Sequence, residues 1–259
     1  QNTAITFAGA PATPDDKTEE YNGEVWSAGG TMIASKYNRG AAGTQNAALA
    51  IGGALSTCTE EYNGSTWAVG GALITGMSYM DGVGTQNDAL SAGGVGPVST
   101  LKCVEHYDGT SWSNRNILLL HKEGVGIFGT TNAAVTAGGY SSAGGNPGIA
   151  TEQYNGTSWS TDTTMPVIMK RHTAAGTMDG AVLFGADAGS EGSPSVTATL
   201  NYTQDYIATA SFSKVNAIHF QTEEITITGS AVKIPVFGST FNVDTRHRPS
   251  SNRNNIYWR

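Results

Sequence analysis

The sequence predicts an all-β protein built from repeated sheets. A phrase of the form Glu-x-Tyr-Asn/Asp-Gly-x-x-Trp occurs four times, at 19–26, 60–67, 105–112 and 152–159. Its tyrosines recur at a period of about 45 residues, which is typical of repeat architectures. Glycine is frequent, with 34 residues, and no long stretch shows the 3.6-residue apolar periodicity of a helix.

A second phrase repeats in register with the first. The residues from Gly43 to Gly53 return at 84–94 and 129–139, and in a more divergent form at 176–186. Each copy is a short apolar run that ends in glycine. This pattern predicts a buried strand followed by a tight turn, because glycine accepts positive φ without a steric clash.

One repeat unit can be assembled from these phrases. Residues 47–51 are predicted as the inner strand, and a second strand runs from Cys58 to Tyr62. The Asn63-Gly64 pair that follows is a strong hairpin signal. A third strand begins at Trp67, and a linking stretch that contains Met77 leads to the next copy. About four short strands per unit is the content of one β-propeller blade.

These phrases resemble kelch-type β-propeller repeats, which pair a hydrophobic strand ending in Gly-Gly with a downstream Tyr and Trp. The stretch from Gly43 to Trp67 is more closely similar to kelch-like arrays in virion structural and tail-fibre proteins of marine bacteriophages. The resemblance implies a non-enzymatic protein of the virion surface, without a cofactor. The partners it implies are other virion proteins and a host-surface glycan or protein receptor, and it implies a homo-oligomer.

The sequence divides into two parts. Residues 1–205 are expected to form the kelch-like propeller, with about five visible blades, the fifth of them degenerate around Tyr202. The chain opens inside a repeat at Gln1, so we expect the natural chain to extend upstream. Residues 206–259 are expected to be a β-rich extension. It would act as a connector or oligomerisation element, or supply a strand that fills the first blade.

Charge is distributed unevenly along the chain. The net charge is −7; acidic residues outnumber basic ones 18 to 8 in residues 1–205, and basic residues outnumber acidic ones 6 to 3 in residues 206–259. The acidic array argues against nonspecific nucleic-acid binding, which needs Lys and Arg to neutralise phosphates. No apolar run is long enough to predict membrane insertion.

The repeated side chains are interpreted as structural. The four motif tryptophans are expected to pack between blades rather than to stack on sugars. Because an active site is one constellation and not four copies, the motif glutamates are interpreted as backbone or inter-blade partners, or as solvated. Cys58 and Cys103 are expected to be free thiols. The histidines lack metal-ligand spacing, so neither a catalytic nor a metal site is predicted.

Loops that interrupt the repeat are the best candidates for specific recognition. Three of them, at 11–17, 140–148 and 187–194, follow the Gly turn of the apolar strand and should emerge on one face. The predicted ligand-binding residues are Tyr140, Asn146, Asp187 and Glu191. Two alternatives remain: a glycan-processing enzyme with its site in the propeller mouth, and an architectural spacer whose faces are both buried in an assembly.

Overall fold

A computed structural model describes residues 3–9, 16–142, 147–187, 195–196 and 200–203. Within these residues the protein is all-β, which confirms the predicted class, and helical structure is limited to one 3-10 turn at Pro147–Ile149. The predicted C-terminal extension, residues 206–259, lies outside the described residues.

The strands form antiparallel sheets whose order follows the chain. Sheet 1 contains β1 (Ala4–Phe7), β2 (Thr18–Tyr21) and β3 (Trp26–Ala28). Sheet 2 contains β4 (Gly40–Thr44), β5 (Ala47–Ile51), β6 (Thr59–Tyr62) and β7 (Trp67–Val69). Sheet 3 contains β8 (Ser78–Thr85), β9 (Asp88–Val95), β10 (Val104–Tyr107) and β11 (Trp112–Asn114). Sheet 4 contains β12 (Gly126–Thr130), β13 (Ala133–Ala137), β14 (Thr151–Tyr154) and β15 (Trp159–Thr161).

The last repeat departs from this plan. After β16 (Thr173–Thr177) and β17 (Gly180–Phe184) comes a short hairpin of β18 (Ala186–Asp187) and β19 (Ser195–Val196). The strand β20 (Leu200–Thr203) then pairs with β17 to complete sheet 5. The divergent repeat therefore keeps its third strand.

The Asn/Asp-Gly pair closes the hairpin before each motif tryptophan, as predicted. In sheet 2 the Asn63 Oδ1 accepts hydrogen bonds from the amides of Ser65, at 3.0 Å, and Thr66, at 2.9 Å. Gly64 has φ +89°, a conformation that glycine adopts without a Cβ clash. The turn places Tyr62 opposite Trp67, with ring centroids 4.9 Å apart.

The strand at which successive sheets meet differs from the predicted one. Residues 47–51 form β5, which is second in its sheet, so their assignment as the inner strand is wrong. The first strands β4, β8, β12 and β16 contact one another from sheet to sheet. Sequence reasoning missed β4 because Gly-Ala-Ala-Gly-Thr has little apolar signal. Its glycine is required, since a Cβ on Gly43 would lie 2.1 Å from the Ala47 carbonyl oxygen.

The core lies between sheets. Leu49 and Ile51 project from one face of sheet 2 into a buried cluster with Tyr107 and Trp112 of sheet 3. The alanines of the same strand, on the other face, pack with the Tyr62–Trp67 pair and with residues of sheet 1. Sheet 2 therefore buries both faces, which is why its apolar strand reads as a continuous run.

Candidate binding face

The structure describes two of the four predicted ligand-binding residues, Tyr140 and Asp187. Asn146 and Glu191 lie outside the described residues, and Asp187 is described as the last residue of β18 by its backbone alone. Tyr140 is described, and 47% of its surface is exposed. Its loop joins β13 and β14, the second and third strands of sheet 4. Most of the other two predicted loops, at 11–17 and 187–194, lies outside the described residues.

Tyr140 is held in place by its backbone. Its amide and carbonyl exchange two hydrogen bonds with those of Glu123, each 2.8 Å long. The Lys170 Nζ lies 5.6 Å from the centroid of the Tyr140 ring, within the range of a cation–π interaction. An exposed aromatic ring is thus fixed beside a cation.

A row of equivalent backbone positions runs beside this ring. Asn38, Gly124 and Arg171 precede the first strands of sheets 2, 4 and 5, and Tyr79 is the second residue of β8, the first strand of sheet 3. In chain order, the φ values of Asn38, Tyr79, Gly124 and Arg171 are 56°, 57°, 59° and 52°. Each of the last three donates its amide to the carbonyl of the one before it, at 3.0, 2.8 and 2.7 Å. Left-handed φ is unfavourable for residues other than glycine, so these bonds hold a conformation that the isolated chain would avoid.

The row brings further unrepeated side chains together. The Arg171 guanidinium carbon lies 5.1 Å from the centroid of the Tyr79 ring. Burial raises the pKa of Glu123, and the charges of Arg171 and Lys170 oppose that increase. We name the set of Tyr79, Glu123, Tyr140, Lys170 and Arg171 the Tyr140 patch. It combines two aromatic rings, two cations and one carboxylate.

Sequence reasoning found one member of this patch and missed four. The missed residues lie five or six positions before the glycine that begins the second repeated phrase, in segments interpreted as linkers. Their signal was present, because equivalent positions carry different residue types in each repeat. That variation indicates a candidate site only once the backbone hydrogen bonds show that these positions are neighbours.

Three of the motif glutamates are buried and hydrogen-bonded to backbone amides, whereas Glu19 of sheet 1 is exposed. Each accepts two amide hydrogen bonds from the segment that enters its sheet: Glu60 from Ile33 and Ala34, Glu105 from Ile74 and Thr75, and Glu152 from Leu119 and Leu120. All three carboxylates are buried. The interpretation of these residues as backbone partners is confirmed.

The charge of these carboxylates is balanced differently in each sheet. The Arg39 Nη1 lies 2.9 Å from Glu60, and the Lys122 Nζ lies 3.3 Å from Glu152, with both pairs buried. Burial lowers the pKa of Lys122, while Glu152 opposes that effect. Glu105 instead faces the Cys103 Sγ at 3.4 Å. Burial, and then Glu105, raises the pKa of Cys103 to about 11, so this thiol stays protonated at neutral pH.

Both cysteines are free thiols, as predicted. Trp67, Trp112 and Trp159 are each 6% exposed, which confirms their predicted role in packing. Trp26 of sheet 1 differs, because 53% of its surface is exposed.

Side-chain hydrogen bonds tie sheet 3 to sheet 2. The Tyr107 hydroxyl donates to Glu61 at 2.5 Å, and the Trp112 Nε1 donates to the Thr59 hydroxyl at 3.1 Å. Burial, and then the bond to Glu61, raises the pKa of Tyr107 to about 12. The Gln86 side-chain amide adds a bond to the Tyr62 carbonyl at 2.7 Å. The tyrosine and tryptophan of the motif therefore each form a hydrogen bond with a residue of the preceding sheet.

The same three bonds tie sheet 2 to sheet 1. The donors and acceptors are Tyr62 to Glu20 at 2.6 Å, Trp67 to Thr18 at 2.8 Å, and Gln45 to the Tyr21 carbonyl at 3.1 Å. None of these pairings is visible in the sequence, since the partners are 24 to 49 residues apart.

A groove of about 310 Å³ runs beside β1. Ile5 and Phe7 line it from sheet 1, and Asn38, Arg39 and Ala41 line it from the start of sheet 2. In the described residues β1 pairs on one edge only, with β2, whereas β5, β9, β13 and β17 pair on both edges.

Metal-ligand clusters and membrane-spanning helices are absent from the described part of the chain. No cluster of three His, Cys, Asp or Glu side chains suited to a metal ion occurs there, and no helix there has the length and apolar character needed to cross a membrane. Comparison of the whole sequence with protein-family models and with curated proteins gave no match.

Proposed function

We propose that this chain is a non-enzymatic binding module of a virion structural protein, in which a kelch-like propeller presents the Tyr140 patch to a surface ligand. The observation that carries the proposal is the contrast between a repeated scaffold and one cluster of unrepeated side chains, of which Tyr140 and Arg171 are exposed and Lys170 is buried. Binding sites on rigid repeat scaffolds are typically made by such departures from the repeat.

The contacts between first strands support a propeller arrangement. β4, β8, β12 and β16 follow one another side by side, while the strands that begin at the motif tryptophans are last in their sheets. A propeller has this radial order, with the first strand of each blade nearest the axis. The proposed ring places the Asn38-to-Arg171 row around the mouth of its channel.

The use of the repeated carboxylates favours binding over catalysis. Glu60, Glu105 and Glu152 are buried and already accept backbone amides, so they are unsuited to general acid–base work on a substrate. Glu123 is the one carboxylate of the patch, and the charges of Arg171 and Lys170 oppose the increase that burial gives its pKa.

The chemistry of the patch indicates a polar ligand with flat or anionic groups. Tyr140 offers an exposed ring for stacking, and Arg171 offers a planar donor for carboxylate or hydroxyl groups. A surface glycan or an acidic protein loop has these properties. The virion setting rests on the resemblance of the repeated phrases to phage fibre proteins.

A glycan array probed with the labelled chain tests the binding proposal. We expect Tyr140→Ala and Arg171→Ala to abolish the signals seen with the unaltered chain. The matched control is Arg115→Ala, which removes another exposed arginine, next to β11 in sheet 3. Signals that survive both patch variants, or that Arg115→Ala also removes, would show that the patch is not the binding site.

Cryo-electron microscopy of particles that contain the chain tests the structural role. The proposal expects the chain on the particle surface with Tyr140 facing outward. A Tyr140 patch buried between subunits would make the protein an architectural spacer and exclude receptor binding at this face.

A further inference from the structure

Three of the repeated hairpin turns begin with an asparagine that is followed by glycine. All three asparagines are exposed, and they are Asn22, Asn63 and Asn155. The glycine after each has a positive φ, which is 104°, 89° and 87° in chain order. The fourth turn carries an aspartate at the same position, Asp108, followed by Gly109. The structure therefore contains the same turn in an amide form and in a carboxylate form.

Each turn holds the side-chain carbonyl of its asparagine in the same way. The Asn63 Oδ1 accepts the backbone amides of Ser65 and Thr66, at 3.0 and 2.9 Å. Equivalent pairs of amides bind the other two asparagines, at 3.0 and 3.0 Å for Asn22 and at 3.0 and 2.9 Å for Asn155. Two N–H donors on one carbonyl oxygen polarise the carbon and stabilise negative charge that develops on the oxygen, as in an oxyanion hole. We name these two donors the turn amides.

The nucleophile for the polarised carbon lies in the next residue. Attack by the Gly64 backbone nitrogen on the Asn63 Cγ closes a five-membered succinimide ring, and glycine has no Cβ that would hinder the approach. The glycine amide proton leaves with the side-chain nitrogen, as ammonia. Water then adds to Cγ and breaks its new bond to the glycine nitrogen, which leaves aspartate at this position. Addition of water to the backbone carbonyl carbon of the ring gives isoaspartate instead.

Asp108 shows that the turn accepts the aspartate product. Its Oδ1 accepts the amides of Thr110 and Ser111 at 2.9 and 2.8 Å, which are the same two bonds. The Ser111 amide and then the Thr110 amide lower the pKa of the Asp108 carboxyl, so they favour its ionised form. Tyr107 still lies opposite Trp112, with ring centroids 5.0 Å apart. Aspartate is therefore compatible with the turn and with the packing of the motif.

We propose that Asn22, Asn63 and Asn155 are sites of spontaneous deamidation in the folded chain, and that the turn amides promote the reaction. Each conversion adds a negative charge to an exposed turn, in a chain whose net charge is already −7. The Tyr140 loop precedes β14 and Asn155 follows it, so the Tyr140 patch and this turn lie at opposite ends of that strand. Deamidation and ligand binding at the patch can therefore be tested independently.

Peptide mapping by mass spectrometry of the chain stored at neutral pH tests the three sites. We expect the mass change of an amide-to-carboxyl conversion at each of them, at a rate that rises with pH because the attacking nitrogen must lose its proton. Asn46 and Asn132 are the matched internal controls, since both are exposed but precede alanine. Equal conversion at the controls, or no conversion at the three turns, would overturn the proposal.

Two comparisons separate the effect of the turn from that of the Asn-Gly pair. Guanidinium chloride keeps the pair but removes the turn, so we expect conversion there to be about tenfold or more slower than in the folded chain. Asp108→Asn places a fourth asparagine in the same turn, and this variant should regain aspartate at a rate similar to that of Asn63. Conversion that is as fast in denaturant, or an Asp108→Asn chain that keeps its asparagine, would show that the turn amides do not promote the reaction.

Discussion

The junction between sheets 2 and 3 and the junction between sheets 3 and 4 share a motif but not its bonds. At the first, Trp112 donates to Thr59. At the second, Trp159 packs in a cluster with Val104, the residue equivalent to Thr59, and its buried Nε1 has no hydrogen-bond partner among the residues that the structure describes. An indole can thus keep its packing role in the array after its hydrogen bond is lost.

Two other positions change at the same junction. His106 of sheet 3 occupies the position that Glu61 has in sheet 2. Its ring forms hydrogen bonds with Asp88, at 2.6 Å, and with Arg115, at 2.9 Å. Thr131 occupies the position that Gln86 has in the preceding repeat, and its hydroxyl donates to Asp88 at 2.9 Å. The comparison teaches that apolar packing is the constant part of the junction and that the polar bonds vary.

The largest expected difference concerns the buried glutamates. Glu152→Gln leaves Lys122 buried without a countercharge, and we expect a loss of about 3–5 kcal/mol in unfolding free energy. Within the described ranges no salt bridge reaches Glu105, so Glu105→Gln should cost only about 1–3 kcal/mol. Urea denaturation of the two variants measures the difference. Equal losses would show that the Lys122–Glu152 pair adds nothing.

The tryptophans provide the next comparison. Trp112→Phe removes the bond to Thr59, whereas Trp159→Phe removes a buried donor for which the described part of the chain offers no partner. Both lose similar indole area, so Trp112→Phe should be the more destabilising by about 1–2 kcal/mol. Thermal unfolding of both variants in parallel checks this order. A greater loss for Trp159→Phe would contradict the role assigned to the Thr59 bond.

Asp81 makes the second junction sensitive to pH. It lies on β8, and its carboxylate accepts the Ile127 amide of sheet 4 at 3.3 Å. Burial raises the pKa of Asp81 to about 7, against the opposing effect of amides that include those of Gly82 and Ile127. Between the ordinary carboxyl pKa and about 7, only the folded state holds this proton, so stability falls as pH rises through that interval.

Asp81→Asn should remove that pH dependence. We expect the unaltered chain to lose about 1 kcal/mol between pH 6 and pH 8 from this group. Denaturation curves at the two pH values should differ less for the variant. The control is Asp108→Asn, because backbone amides of Ser111 and Thr110 lower the pKa of that carboxyl, away from this interval. An unchanged slope in Asp81→Asn would contradict the assignment.

The smallest effect is a gain. Val104→Thr would give Trp159 the hydroxyl acceptor that Thr59 gives Trp112, and we expect about 0.5–1 kcal/mol of added stability. The reciprocal change, Thr59→Val, should destabilise by a similar amount or more. A loss of stability in Val104→Thr, measured by urea denaturation, would show that the second junction cannot accept a hydroxyl.

Much of the fold could be predicted from local patterns. The Asn63-Gly64 hairpin, the strands β5 and β6, and the start of β7 at Trp67 all agree with the sequence analysis. The candidate site was harder, since only Tyr140 of its five residues stood out. Tyr79 and Arg171 lie far apart in the chain, and no local rule brings them together.

The sequence by itself determined the all-β class, the repeat period and the turns, because strand alternation and turn chemistry act over a few residues. Tertiary structure alone decided that the first strand joins neighbouring sheets, that Glu60, Glu105 and Glu152 hold the entering segments, and which tryptophan has an acceptor. These outcomes depend on contacts between residues that are far apart in the chain. At the junction of sheets 3 and 4, for example, Val104 stands where Thr59 stands in sheet 2, so the motif is intact but the tryptophan hydrogen bond is lost.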